Sequence, residues 1–135
     1  MDRRLFLLSS GAAALAAPAF AGSGIEYTPG LVKQKLAEGE VVFVDFYTEW
    51  CSTCASQQRT IKALKAENPQ YKAITFVSVD WDQHSRSKLA KELKIPRRST
   101  LVALSKDGEL GRIVAGTRKK DIKALMDKAL GAAVA

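Results

Sequence analysis

The chain reads as a single α/β domain, a central mixed β-sheet with helices on both faces. Three observations carry this expectation. Residues 41–47, Val-Val-Phe-Val-Asp-Phe-Tyr, are too apolar to leave one face wet, as expected of a central strand covered on both sides. Strand and helix patterns alternate on either side of that run, which is the signature of parallel pairing through crossover helices. Near the end, Lys106-Asp107-Gly108-Glu109 reads as a hairpin turn, so an antiparallel pair joins the same sheet. At 135 residues the chain holds one domain's worth of sequence once a leader is set aside.

The leader comes first. Asp2-Arg3-Arg4 follows the initiating Met1 as a short positive start, and Leu5 to Ala17 is an apolar run rich in Leu and Ala. That run falls short of the roughly 20 residues a membrane-spanning helix needs. Ala19-Phe20-Ala21 supplies the small-x-small pattern cut by signal peptidase, so residues 1–21 are expected to be a signal peptide removed after about Ala21. Arg3-Arg4-Leu5-Phe6-Leu7 is twin-arginine-like, although Asp2 stands where Ser or Thr is usual, which leaves the general secretory route open. No cysteine follows the run to carry a lipid, and a periplasmic protein not anchored to the membrane is expected.

In the remainder, Thr28-Pro29 predicts an N-cap and first turn, and Leu31, Val32, Lys35 and Leu36 a short amphipathic helix stopped at Gly39. The central strand follows over Val41 to Tyr47. Ser52 to Glu67 is a helix with Ile61 and Leu64 on its apolar face, ended by Asn68-Pro69. Ile74 to Asp80 is a second strand, and His84 to Leu93 a helix with a thin apolar face. Thr100 to Leu104 and Leu110 to Ala115 are the two hairpin strands. Thr117 is expected to cap a final helix whose face carries Ile122, Leu125, Met126 and Leu130, with Gly131 as its stop.

The two cysteines, Cys51 and Cys54, are the only ones in the chain, and they lie at the junction of the central strand and the following helix. The first turn of a helix carries unpaired N–H groups and the positive end of the macrodipole, so a thiolate at Cys51 is favoured there. Such settings lower a thiol pKa from about 8.5 to roughly 3.5–7.5. The thiolate is the attacking species in disulfide exchange, and a second sulfur one turn along can close the ring and release the partner. Other uses of the pair fit less well. A disulfide across so short a loop removes little unfolded-state entropy. A zinc site wants four ligands, or three plus water, and His84 is the one further soft candidate.

The run Val42-Phe43-Val44-Asp45-Phe46-Tyr47-Thr48-Glu49-Trp50-Cys51-Ser52-Thr53-Cys54 resembles the active-site segment of the thioredoxin superfamily. The resemblance extends from about Glu26 to Leu130 and implies a thioredoxin-like domain over residues 22–135, with Cys51 as attacker and Cys54 as resolver. It also implies that Asp45 lies buried beneath Cys54, where burial raises a carboxyl pKa and suits it to proton exchange near neutrality. Trp50 would shield the Cys51 sulfur at the rim of the site. Counting back from Asp80 puts Phe76 where many members carry a lysine, which would make Asp45 still harder to ionise. Ser52 and Thr53 replace the usual Gly-Pro and would tune the balance between dithiol and disulfide. Ser99 falls where the family has a cis-proline. A non-proline cis bond costs about 2.5–4 kcal/mol, so a trans Arg98–Ser99 bond is expected. Arg98, Ser99 and Thr100 would then form the segment against which substrate docks.

The resemblance implies a thiol–disulfide oxidoreductase, a reductase of protein disulfides by preference, with no cofactor beyond the Cys51–Cys54 couple and no resident metal. Its partners would be protein thiols and disulfides, and a membrane electron donor if it reduces. A formal charge of +7 spread over nearly every segment favours acidic partners more than nucleic acid, and a monomer is expected. The alternatives are a disulfide-donating oxidase, a metal-binding or metal-delivery protein using the same thiolates, and a binding module with a permanently closed disulfide.

Overall fold

A computed structural model describes residues 24–135; the signal-peptide reading of residues 1–21 lies outside them. The sheet has five strands: β1 (Ile25–Glu26), β2 (Val42–Tyr47), β3 (Thr75–Asp80), β4 (Thr100–Ser105) and β5 (Gly108–Val114), in the order β1-β3-β2-β4-β5. β3 pairs parallel with β1 and β2, while β4 pairs antiparallel with β2 and β5. β2 is therefore central, and every one of its residues is buried. The mixed sheet expected from the sequence is the one formed.

Helices cover both faces. The alternation of a strand sends Phe43, Leu101 and Ala103 to one side, where they pack with Ile61 and Leu64 of α2 (Ser52–Glu67) and Ile122, Leu125 and Met126 of α5 (Lys119–Ala133). Val42, Val44, Phe46, Val77 and Val102 point the other way, onto Val32 of α1 (Leu31–Ala37) and Ala90 of α4 (Lys88–Leu93). Each Val, Leu, Ile, Phe or Met among them, when fully buried, contributes about 1.5–3 kcal/mol relative to exposure. The parallel step from β2 through α2 to β3 sets the amino end of α2 over the carboxyl end of the central strand.

Several local expectations are corrected. Thr28 does not cap α1 with its side chain; Thr28-Pro29-Gly30-Leu31 is a turn closed by Leu31 N–H to the Thr28 carbonyl at 3.0 Å, with Gly30 at φ 88°. The helix expected over 84–93 is broken in two. Asp80 caps α3 (Trp81–His84), and Ser87 caps α4 by accepting from Ala90 N–H at 3.1 Å, because a Ser at that point competes with the helix for its own backbone. The hairpin loop is Lys106-Asp107 alone, with β5 beginning at Gly108 and a bulge between Ala103 and Leu104. Arg118, not Thr117, precedes α5, which runs past Gly131 to Ala133 because Ala129, Ala132 and Ala133 continue its packing on the core. The two-residue β1 has no sequence signal of its own. Among the described residues, no helix is long and apolar enough to cross a membrane.

Candidate active site

β2 delivers the chain to the site and α2 opens it. Cys51 is the N-cap of α2, with its Sγ accepting the Cys54 backbone N–H at 3.1 Å in the place a Ser or Asp oxygen would take. Ser52 and Thr53 form the first turn, and Cys54 follows on its buried side. The sulfurs pack with Tyr47, whose hydroxyl is anchored on the Glu26 carboxylate at 2.9 Å. Both cysteines are free, and both are buried. Asp45 is also buried, on the face of β2 that it shares with Phe43 and Tyr47, the face beneath α2. Across the ladder it meets Ser78 on β3, while Phe76 pairs with Phe43 one step away.

The segment ahead of β4 closes the site from the other side. Ser99 Oγ lies 3.2 Å from Cys51 Sγ and 3.1 Å from Cys54 Sγ. No cis peptide occurs among the described residues; Ser99 instead has φ 65°, a left-handed conformation that costs a serine about 1–3 kcal/mol. Main-chain bonds hold it there: its N–H donates to the Phe46 carbonyl at 2.7 Å and its carbonyl accepts from Ala115 N–H at 2.8 Å. Gln57 completes the clamp, with Nε2 donating to the Ser99 and Gly116 carbonyls, each at 2.9 Å.

These contacts act on the thiols in opposite directions. Burial pushes the Cys51 thiol up, but hydrogen bonds from Cys54, Ser99, the Cys54 amide and Arg98 outweigh it and bring it down to about 7. Burial and the hydrogen bond to Cys51 push Cys54 above the usual thiol range. One sulfur is thus prepared to be an anion while its neighbour keeps its proton, a division that suits an attacker and a resolver.

The remaining predicted residues take distinct places. Trp50 is 63% exposed and forms the rim, with its indole N–H donating to Asp82 at 2.9 Å and the Arg98 guanidinium 4.4 Å from its ring centroid. Ser99 and Thr100, expected to meet substrate, are fully buried. The Ser99 hydroxyl faces the sulfurs and that of Thr100 donates to the Arg97 carbonyl at 2.7 Å, while Arg98 is half-buried. Gln57 escaped the sequence reading. Its signal was an uncharged polar residue one turn after Cys54, on the stripe continued by Ile61 and Leu64. Trp81, read as surface or strand-end packing, stands edge-on to Phe46 at 5.9 Å, and His84 stands edge-on to Tyr27 at 4.9 Å. No group of three or more His, Cys, Asp or Glu positioned to hold a metal occurs among the described residues.

The thioredoxin family model matches residues 26–128. The chain is 33% identical over 98 residues to the chloroplastic F-type thioredoxin of Brassica napus, covering 73% of this chain and 51% of that protein. It is 31% identical over 111 residues to an H-type thioredoxin of Oryza sativa, covering 82% of this chain and 84% of the relative. The chain therefore spans about half the length of the chloroplastic relatives and most of the H-type one. Among solved structures, Trxlp from Edwardsiella tarda superposes with a TM-score of 0.65 at 25% identity, covering 76% of this chain and 98% of that one. With the paired cysteines at the head of α2, the strand order and the match over residues 26–128 in agreement, the chain belongs to the thioredoxin family.

Proposed function

We propose that the protein is an exported thiol–disulfide oxidoreductase that reduces disulfides in other proteins. The observation that carries the reading is the unequal pair of thiols: Cys51 capped by an amide and lowered to about 7, Cys54 buried beside it and raised. The Cys51 thiolate attacks one sulfur of a client disulfide, forming a mixed disulfide as the first client thiolate leaves. Cys54 gives up its proton and attacks Cys51 Sγ, closing the Cys51–Cys54 bond and releasing the second client sulfur. A thiolate and a thiol enter and a thiolate and a thiol leave, with two electrons passing to the client.

Asp45 serves as the group that takes the Cys54 proton, since it is buried on the face of β2 beneath the helix that carries that thiol. Trp50 and Arg98 form the rim that meets the client, and Ser52 and Thr53 tune the couple. The lowered Cys51 thiol supports the reducing direction. Thioredoxin-type thiols ionise near 7 and strongly oxidising ones near about 3.5, a difference that favours the reduced form of the latter by roughly 100 mV. In a periplasm kept oxidising, such a protein needs a membrane electron donor; Arg3-Arg4, the apolar run over 5–17 and Ala19-Phe20-Ala21 support that location.

Reduction of a protein disulfide such as that of insulin, driven by dithiothreitol, tests the reading. Wild type should accelerate it, Cys51→Ser should abolish the acceleration, and Cys54→Ser should accumulate as a mixed disulfide visible by mass. Asp45→Asn should slow the second step roughly 10²-fold. Full activity in Cys51→Ser would overturn the assignment.

A further inference from the structure

From outside α2, Ser99 brings its hydroxyl within hydrogen-bond reach of both reacting sulfurs, at 3.2 Å and 3.1 Å. Its hydroxyl has a single hydrogen to donate and lone pairs with which to accept. In the one-proton state of the pair the single Cys54 S–H donates to the Cys51 thiolate, and the Ser99 O–H adds a second bond to the same sulfur. Once Cys51 is tied up in a mixed disulfide its sulfur carries no charge, and the same O–H is released to point at Cys54.

We propose that the Ser99 hydroxyl is a shared catalytic donor that stabilises whichever sulfur carries the negative charge, Cys51 during attack on the client and Cys54 during resolution. The geometry supports a swivelling hydroxyl on a fixed backbone. Ser99 is fully buried, so water does not compete for the bond. Phe46, Ala115 and Gln57 fix its main chain on both sides of the side chain, leaving the O–H rotor as the part free to turn. The other titratable or charged groups around the pair come from separate elements: Asp45 and Tyr47 from β2, and Arg98 from the segment before β4. Arg98 acts on Cys51, whereas the Ser99 hydroxyl reaches both sulfurs. The proposal rests on Cys51 and Cys54 acting as attacker and resolver.

The test uses Ser99→Gly, which keeps the left-handed backbone at no steric cost, alongside Ser99→Ala. Alkylation of Cys51 with iodoacetamide across pH reads the first bond without a client. Release of thionitrobenzoate from a mixed disulfide preformed on Cys51 reads the second. The midpoint for Cys51 should rise by about one pH unit, making alkylation about tenfold slower near pH 6. Thionitrobenzoate release should also slow several-fold at fixed pH, in folded protein of unchanged circular dichroism. Should Ser99→Ala not fold, the glycine variant carries both readouts. An unmoved Cys51 midpoint in Ser99→Gly would overturn the proposal, and so would slowing confined to one of the two steps. Failure of wild type to reduce client disulfides would instead strike the functional reading, because alkylation of Cys51 reports on Ser99 regardless.

Discussion

At Cys51, four donors converge on one sulfur: the thiol and the amide of Cys54, the hydroxyl of Ser99 and, from the rim, the guanidinium of Arg98. Burial alone would have made this thiol a worse nucleophile than a free one, so the site works only because the donors outweigh desolvation. The sign follows directly. Below about 7 the thiol holds its proton and attack is slow; above it the thiolate predominates and the rate reaches a plateau. The rate of Cys51 alkylation should therefore rise with a midpoint near 7, where an unperturbed thiol would titrate near about 8.5. A midpoint at the ordinary value would mean that the donors do not act on the sulfur. Cys54, raised instead, should remain unmodified over the same range. The sequence disclosed both cysteines and their order, because a strand running into a helix is a local pattern. It marked Ser99 as a departure but did not disclose its contact with the thiols, since that depends on residues 45 and 48 positions away.

Among the elements, those with long, uniform patterns were legible: β2 from its unbroken apolar run, and α2 from its stripe and its Asn68-Pro69 stop. What sequence could not give was set by contacts between elements. β1 is a strand because Ile25 and Glu26 find Val77 and Ser78, and the break between α3 and α4 reflects a choice between two serviceable caps. Gln57 belongs here too, as a helical residue whose value lies wholly in two carbonyls of other segments. The end of α4 shows how such joints are secured. Arg112 of β5 donates from Nη2 to the Leu93 carbonyl at 2.7 Å, while Nε and Nη2 grip the Glu109 carboxylate at 2.7 and 2.6 Å. Lys94 ends the helix in the left-handed region at φ 55°. Arg112→Ala should lower the urea midpoint by an amount corresponding to about 1–2 kcal/mol, with the Cys51 alkylation profile unchanged. A loss of reactivity in that variant would show that the hairpin and α4 do more than brace the sheet.

For the molecule as a whole, the sheet is a rigid frame that brings three distant stretches to one point: the end of β2, the head of α2 and the segment entering β4. Packing on both faces fixes that meeting place, while the chemistry is set by a handful of hydrogen bonds around two sulfurs. The fold would serve an oxidant as readily as a reductant, and the proposed reducing direction draws its support from a Cys51 thiol lowered to about 7. The most direct test of that reading is the reduction potential of the Cys51–Cys54 couple, measured by equilibrating the protein against defined dithiol–disulfide buffers. The account predicts one two-electron transition toward the reducing end, near about −270 mV. A transition near about −120 mV would make the protein a donor of disulfides, and the absence of any transition would contradict exchange through this pair altogether.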